Sequence, residues 1–382
     1  MAHRIPITLA KPHIYDADWL RARTVIDSGH LVQGEVCLEV QEQLASFSEA
    51  ESCLLVSSGT AALHLTMMAA EIGPGDAVIC PAFTFPAPAN SIELSGARTV
   101  FCDVDAQSCC ATAELVEEAL AQFSGAERVR AVVLVHAFGQ PADAVSIRDL
   151  CDKHGLLLIE DAACALGSRY SDGRHVGTAG HIACYSFHPR KAVTCGEGGA
   201  VMGPPGKLMQ RVELLRNHGI RRIENRATFV AAGLNYRLTD IQAALLPTQI
   251  ANLPTEIERR RFLAQRYDQG LHGQTQIAAL PRAPGHSFQS LVIRLSAELD
   301  ALRLIASMSN TGVEVNYGAT AVHLTPYYQA KYGYEQAHFP NASTLGALAL
   351  ALPLYGSMTE EDVDYVTNML VHAIAEQDLV NG

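Results

Sequence analysis

The residue of this chain best suited to covalent chemistry is Lys191, in SFHPRKAVTCGEGGA, Ser186 to Ala200. It stands five residues after Ser186 and shortly before Gly196, Gly198 and Gly199. A lysine amine withdrawn from water loses its charge readily and becomes a nucleophile able to form a Schiff base with an aldehyde. The glycines let backbone approach a flat, phosphorylated ligand without Cβ clashes. Taken alone, the stretch is equally well a surface lysine on a glycine-rich turn. Two carboxylates, Glu160 and Asp161, follow the apolar run Leu156 to Ile159. They stand at the C-terminal end of a strand, where ligands bind in α/β sheets. They could serve as acids, bases or metal ligands, and a single aspartate beside a heterocycle nitrogen would hold that nitrogen protonated. A carboxylate that merely caps the next helix is the plainer alternative. In SSGTAALHLTMMAA, from Ser57, a strand ends in a glycine turn and a helix with Ser58 or Thr60 as cap. Free N–H groups and the helix dipole would there face an anion. An ordinary capped helix has the same sequence, and neither a P-loop nor GxGxxG is present. Phe83 and Phe85 lie on a proline-rich loop, PAFTFPAPAN. One could pack flat on an aromatic ligand, while core packing suits Phe83.

These groups need elements to hold them. Seven apolar strand candidates lie between Leu54 and Met202, mostly separated by helical segments. That alternation predicts an α/β fold with a largely parallel central sheet. An N-terminal arm, residues 1–30, carries one helix from Asp16 to Ser28. The stretch Arg221 to Ala232 has mixed charge and no periodicity and reads as a mobile loop. A long helical region follows, interrupted by Pro247 and Pro254. The domain boundary falls there, giving a large domain over 1–250 and a smaller α+β domain over 251–382. The smaller domain is read as strand 287–295, helix 299–309, strand 313–317 and a final helix from Glu360 to Glu376.

Composition narrows the function. The chain has 382 residues, 48% hydrophobic and 18% charged, which is ordinary for a compact protein with a sizeable core. A net charge of −12 argues against a nucleic-acid partner. No run approaches the ~18 apolar residues of a membrane span. The first residues have no long apolar core, so no secretory signal is expected. Ten cysteines follow no metal spacing and read as small buried hydrophobes in a reducing cytoplasm. No metal site is expected.

The ordered set SGTAAL, PAFTF, VHAFGQPAD, IEDAACALG, SFHPRK…GEGGA, RNHG, GLNYRLTDIQAA and LPLYGSMTEEDV resembles the DegT/StrS family of sugar aminotransferases. These are fold-type I enzymes that use pyridoxal 5′-phosphate (PLP). The resemblance implies that Lys191 holds PLP as a Schiff base and then moves a proton between the donor Cα and C4′ of the cofactor. Asp161 would pair with the pyridinium nitrogen, and Phe85 would stack on the ring. Gly59, Thr60 and Ser186 would hold the phosphate. Asn235 would reach the phosphate of the neighbouring subunit's cofactor, which makes the active site a property of a homodimer. His323, in VHLTPYY, would lie near the substrate mouth, with His188 also on the substrate side. Two departures stand out. Cys164, three residues after Asp161, replaces the family's usual Gln or His beside the cofactor's 3′ oxygen and is a weaker hydrogen-bond partner. Pro247 stands where the family helix normally continues. Some relatives carry His for the lysine and act as dehydratases, which Lys191 argues against.

The function implied is transamination of a keto-sugar linked to a nucleotide, with glutamate as donor, in polysaccharide or antibiotic sugar biosynthesis. GEGG after the lysine favours C4 over C3 as the position aminated. The alternatives are amination of a cyclitol ketone or another small keto substrate, and, from a different class, a non-catalytic regulatory protein that keeps the fold.

Overall fold

The computed structural model describes residues 6–224 and 226–381; residues 1–5 of the expected arm and Asn225 of the expected loop lie outside them. Seven strands form one sheet in the order Ser52–Val56, Gly199–Gly203, Ile182–Ser186, Leu157–Asp161, Arg128–Val135, Asp76–Pro81, Arg98–Cys102. Every neighbouring pair is parallel except the two made by Gly199–Gly203, which is antiparallel to both of its neighbours. The strands are rich in Val, Ile, Leu and Ala and are largely buried along their length. Continuous apolar runs of this kind are what a sheet covered by helices on both faces requires. Gly59–Ala69 is one such helix, with all but three of its residues buried.

A second sheet, wholly antiparallel, has the order Ile277–Ala279, Leu291–Leu295, Ala349–Leu352, Asn316–Tyr317. It shares a core with the helices Ala301–Asn310 and Glu360–Asn381. The helix Pro247–Gly270 serves both cores: Ile250, Leu253 and Ile257 pack in the first, and Leu263, Ala264 and Tyr267 in the second. In the arm, Leu9 packs in the first core, while Ile7 packs in the second and bridges to Val313. The helix Asp16–Ser28 ends on Gly29 in the left-handed conformation.

Three expectations are corrected. Arg221 to Ala232 holds an antiparallel hairpin, Ile220–Ile223 with Arg226–Phe229. Its side chains are mostly exposed, so no apolar periodicity marks it. Only one of the two expected breaks in the long helical region is present: Asp240–Ala243 is a separate short helix and Pro247 opens the next, where a missing N–H costs nothing, whereas Pro254 lies inside Pro247–Gly270 on the exposed side without breaking it. The expected strands 287–295 and 313–317 shorten to Leu291–Leu295 and Asn316–Tyr317. No helix of the described residues is long and apolar enough to cross a membrane.

Candidate active site

The edge where the parallel strands end gathers most of the residues singled out above. Asp161 is the last residue of Leu157–Asp161 and lies level with Val135 and Cys184 on the flanking strands. Its Oδ1 accepts the Ala163 N–H at 3.0 Å, and its Oδ2 accepts no hydrogen bond among the described residues. Burial pushes this carboxyl above its ordinary range, against the pull of the Ala163 N–H and Lys191. A cationic ligand atom at the free oxygen would restore the ionised form that burial opposes.

Glu160 points to the other face of the strand and is fully buried. His136 Nδ1 accepts the Ala142 N–H at 3.0 Å, so Nε2 carries the proton and donates to Glu160 at 2.8 Å. Tyr170 Oη, Gly177 N–H and Gly180 N–H donate to the same carboxylate. Burial alone would raise Glu160, but the His136, Tyr170 and Gly180 bonds together hold it below its ordinary value. The two adjacent carboxylates thus have opposite surroundings, one saturated and one half-open.

Lys191 is half-buried on the loop between Ile182–Ser186 and Gly199–Gly203. Its Nζ lies 2.9 Å from Cys164 Sγ and forms no ion pair among the described residues. The antiparallel pairing of those strands closes the loop at its base, with Ser186 opposite Gly199. Gly199 in turn lies opposite Val56, so the turn Ser57–Gly59 falls beside Ser186. A Cβ at Gly199 would stand 2.5 Å from the Ser58 carbonyl carbon, and one at Gly59 2.8 Å from Ser186 Cβ. Glycine at both positions is what lets this turn close onto the strand end. Ser58 caps the helix by accepting the Ala61 N–H at 3.0 Å. The N–H groups of Gly59 and Thr60 have no acceptor among the described residues. With the Ser186 hydroxyl beside them, they form an anion cradle.

Phe83 is buried, and Phe85 on the same loop is 72% exposed. Asn235 is exposed; its backbone bridges to Asn217 at the base of the hairpin. His188 lies beside the lysine, with Nε2 4.0 Å from Glu197 Oε1 and Nδ1 accepting the Arg190 N–H. His323, expected at a substrate mouth, is fully enclosed in this chain. The pair Thr320–Ala321 with Phe83–Thr84 places it behind the Phe83 loop. There its ring packs against Phe101 and Phe339, its Nε2 meets Ser343 at 3.1 Å, and burial lowers its pKa to about 4. Two buried glutamines that hold the lysine loop, Gln249 and Gln289, carry no sequence signal. Their bonds run to backbone across 55 and 97 residues.

This arrangement fits a flat pyridine bearing an aldehyde and a phosphate. It offers an amine without a carboxylate partner, a buried carboxylate with one free oxygen, and unclaimed N–H groups at a helix start. A model of the DegT/DnrJ/EryC1/StrS aminotransferase family matches residues 12–371. Among solved structures, the chain is similar to TlmJ, an aminotransferase from Streptoalloteichus hindustanus. The identity is 31%, over 97% of this chain and 99% of TlmJ, with a TM-score of 0.89. It is similar to DesV of S. venezuelae at 31% identity over 93% of each chain, with a TM-score of 0.84. PseC of Helicobacter pylori, an aminotransferase involved in the biosynthesis of pseudoaminic acid, shares the fold. Its TM-score is 0.90 at 24% identity, over 97% of this chain and 100% of PseC.

Proposed function

The chain belongs to the DegT/DnrJ/EryC1/StrS aminotransferase family and is a PLP-dependent aminotransferase; from that premise we propose that it transfers an amino group from glutamate to the C4 keto group of a nucleotide-linked sugar. The observation that carries the reading is the meeting, at one sheet edge, of the Lys191 amine, the free oxygen of Asp161 and the unclaimed N–H groups of Gly59 and Thr60. The sugar half rests on the family and on PseC's part in pseudoaminic acid biosynthesis.

Bound PLP supplies an aldehyde carbon that takes amines and a protonated pyridine that draws electrons from the bond being broken. Lys191 would hold the aldehyde carbon, and its amine would be the group that takes up and returns the proton exchanged in the transfer. Asp161 keeps the proton on the pyridine nitrogen. Gly59, Thr60 and Ser186 bind the phosphate, and exposed Phe85 covers a ring face. Cys164, whose sulfur meets the lysine amine, would face the 3′ oxygen. Asn235 extends into the neighbouring copy's site, and His188 belongs to the substrate side. The working unit is a homodimer with shared sites, in the cytoplasm. Exposed Trp19, Leu20, Val32, Leu38 and Phe229 support a covered face, and ten free cysteines suit a reducing compartment. Residues 1–250 and 251–382 are the two domains, which the helix Pro247–Gly270 joins.

The test loads the protein with PLP, treats it with borohydride and maps the label. A visible band lost on reduction, with the label on Lys191, is expected; no uptake would favour the scaffold alternative. A panel of nucleotide keto-sugars and cyclitol ketones is then offered with glutamate. Amination confined to the cyclitols would overturn the nucleotide-sugar reading.

A further inference from the structure

We propose that Gln289 is the positioning residue of Lys191, a role that rests on the reading of Lys191 as the cofactor lysine. Its side-chain amide bridges the two peptide groups that flank the lysine. Oε1 accepts the Ala192 N–H at 2.8 Å, and Nε2 donates to the Arg190 carbonyl at 2.5 Å. A primary amide offers an acceptor and a donor side by side, which suits one carbonyl and one N–H on either side of a residue. With both neighbours tied, and with the Lys191 N–H bonded to the His188 carbonyl at 2.8 Å, the lysine backbone is fixed. Its motion is left to the side chain. Gln289 is 8% exposed, so water does not readily replace these bonds.

The amide is held in its turn. Gln289 lies just before Leu291–Leu295, a strand of the second core. Buried Arg260 reaches the carbonyls of Phe288 and Gln289 at 3.5 Å and is itself paired with Glu256 at 2.8 Å. The helix that supplies Arg260 also supplies Gln249, whose amide bonds the N–H and the carbonyl of Thr194 at 3.0 and 2.8 Å. One helix therefore grips the lysine loop twice, directly through Gln249 and through Arg260 and Gln289. The lysine loop is thereby tied to a helix that serves both cores.

The test uses the PLP-loaded protein with Gln289→Glu and Gln289→Met. The first keeps the acceptor for Ala192 but turns a carboxylate oxygen on the Arg190 carbonyl. The second keeps the volume and makes neither bond. Both should move the pH at which the visible band of bound PLP changes and speed PLP loss on dialysis, and Gln289→Met, which loses the acceptor, should speed exchange of the Ala192 N–H. A displaced lysine should lower kcat by ~10-fold to 10²-fold, with little change in KM. Melting temperature should fall by only a few degrees, the cost of leaving buried backbone groups without their partner. A band that titrates as in the wild type with PLP retained as firmly, in whichever of the two variants folds, would overturn the proposal. So would a lowered melting temperature with an unmoved titration. A wild-type protein that takes up no PLP would instead sink the reading of the site, and Ala192 exchange would still decide whether Gln289 holds the loop.

Discussion

At the scale of single residues, the two acidic side chains at the end of one strand make opposite predictions. Burial raises Asp161, so its ionised form is disfavoured in the folded protein, and it costs stability as pH rises from 3.8 through the folded value. Asp161→Asn removes that cost. The apo variant should melt no lower than wild type at neutral pH, while kcat of the loaded enzyme falls by about 10²-fold or more. A lowered melting temperature with near-normal kcat would make Asp161 a helix cap. Cys164 gives a second prediction, because its sulfur lies 2.9 Å from the lysine amine. Cys164→Gln replaces a weak partner with an amide that can donate to the phenolic oxygen, so the visible band of bound PLP should change at a shifted pH. The melting temperature should barely move. An unmoved band together with a destabilisation of a few kcal/mol would identify Cys164 as a packing residue.

At the scale of elements, the buried cage around Glu160 fastens the strand that ends in Asp161, because His136 bonds Glu160 by its side chain and the Asp161 carbonyl by its backbone N–H. A depressed carboxylate contributes stability that is full above its unfolded value and is lost as pH falls through the folded one. The melting gap between wild type and Glu160→Gln should be widest above about pH 4.5 and should narrow below it. On the order of 3 kcal/mol is expected at neutral pH, since removing one partner of a buried charged set leaves donors unpaired. A gap independent of pH would mean that the carboxylate is not ionised in the folded state. The same elements show what sequence can and cannot tell. Strands such as Val132–Leu134 and Leu158–Ile159 are apolar because both faces are covered, and they stand out in the chain. The hairpin at 220–229 does not, because Arg221, Arg222 and Arg226 leave it exposed and polar. Pro254 misleads because the packing of Leu253 and Ile257 holds the helix through it. Lys191, Asp161 and the glycine turn could be singled out because each stands at the end of an apolar strand run that local sequence shows. Gln289 could not, since its partners are distant in sequence and are backbone atoms.

At the scale of the whole molecule, the exposed Asn235 makes a claim about assembly. If it serves the neighbouring copy, inactive Lys191→Ala mixed with an inactive Asn235→Ala variant should regain activity. One hybrid site in each mixed dimer then holds both good residues, so up to about a quarter of the wild-type rate is expected from random pairing. No recovery, with mixed dimers shown to form, would return Asn235 to its own subunit's site. The antiparallel strand Gly199–Gly203 has a consequence of its own, in time. Among the described residues it alone joins Ser52–Val56 to the sheet, with Ser52 opposite Gly203. A chain emerging from the ribosome therefore carries its first strand without a neighbour until nearly all of the large sheet has been made. The turn at Ser58–Gly59 leans on Gly199 and Ser186, so it cannot take its final shape before then. Pairing so remote along the chain is slow, and an unpaired strand edge invites aggregation while it waits. Newly made chains are thus most vulnerable just before they become able to capture their cofactor.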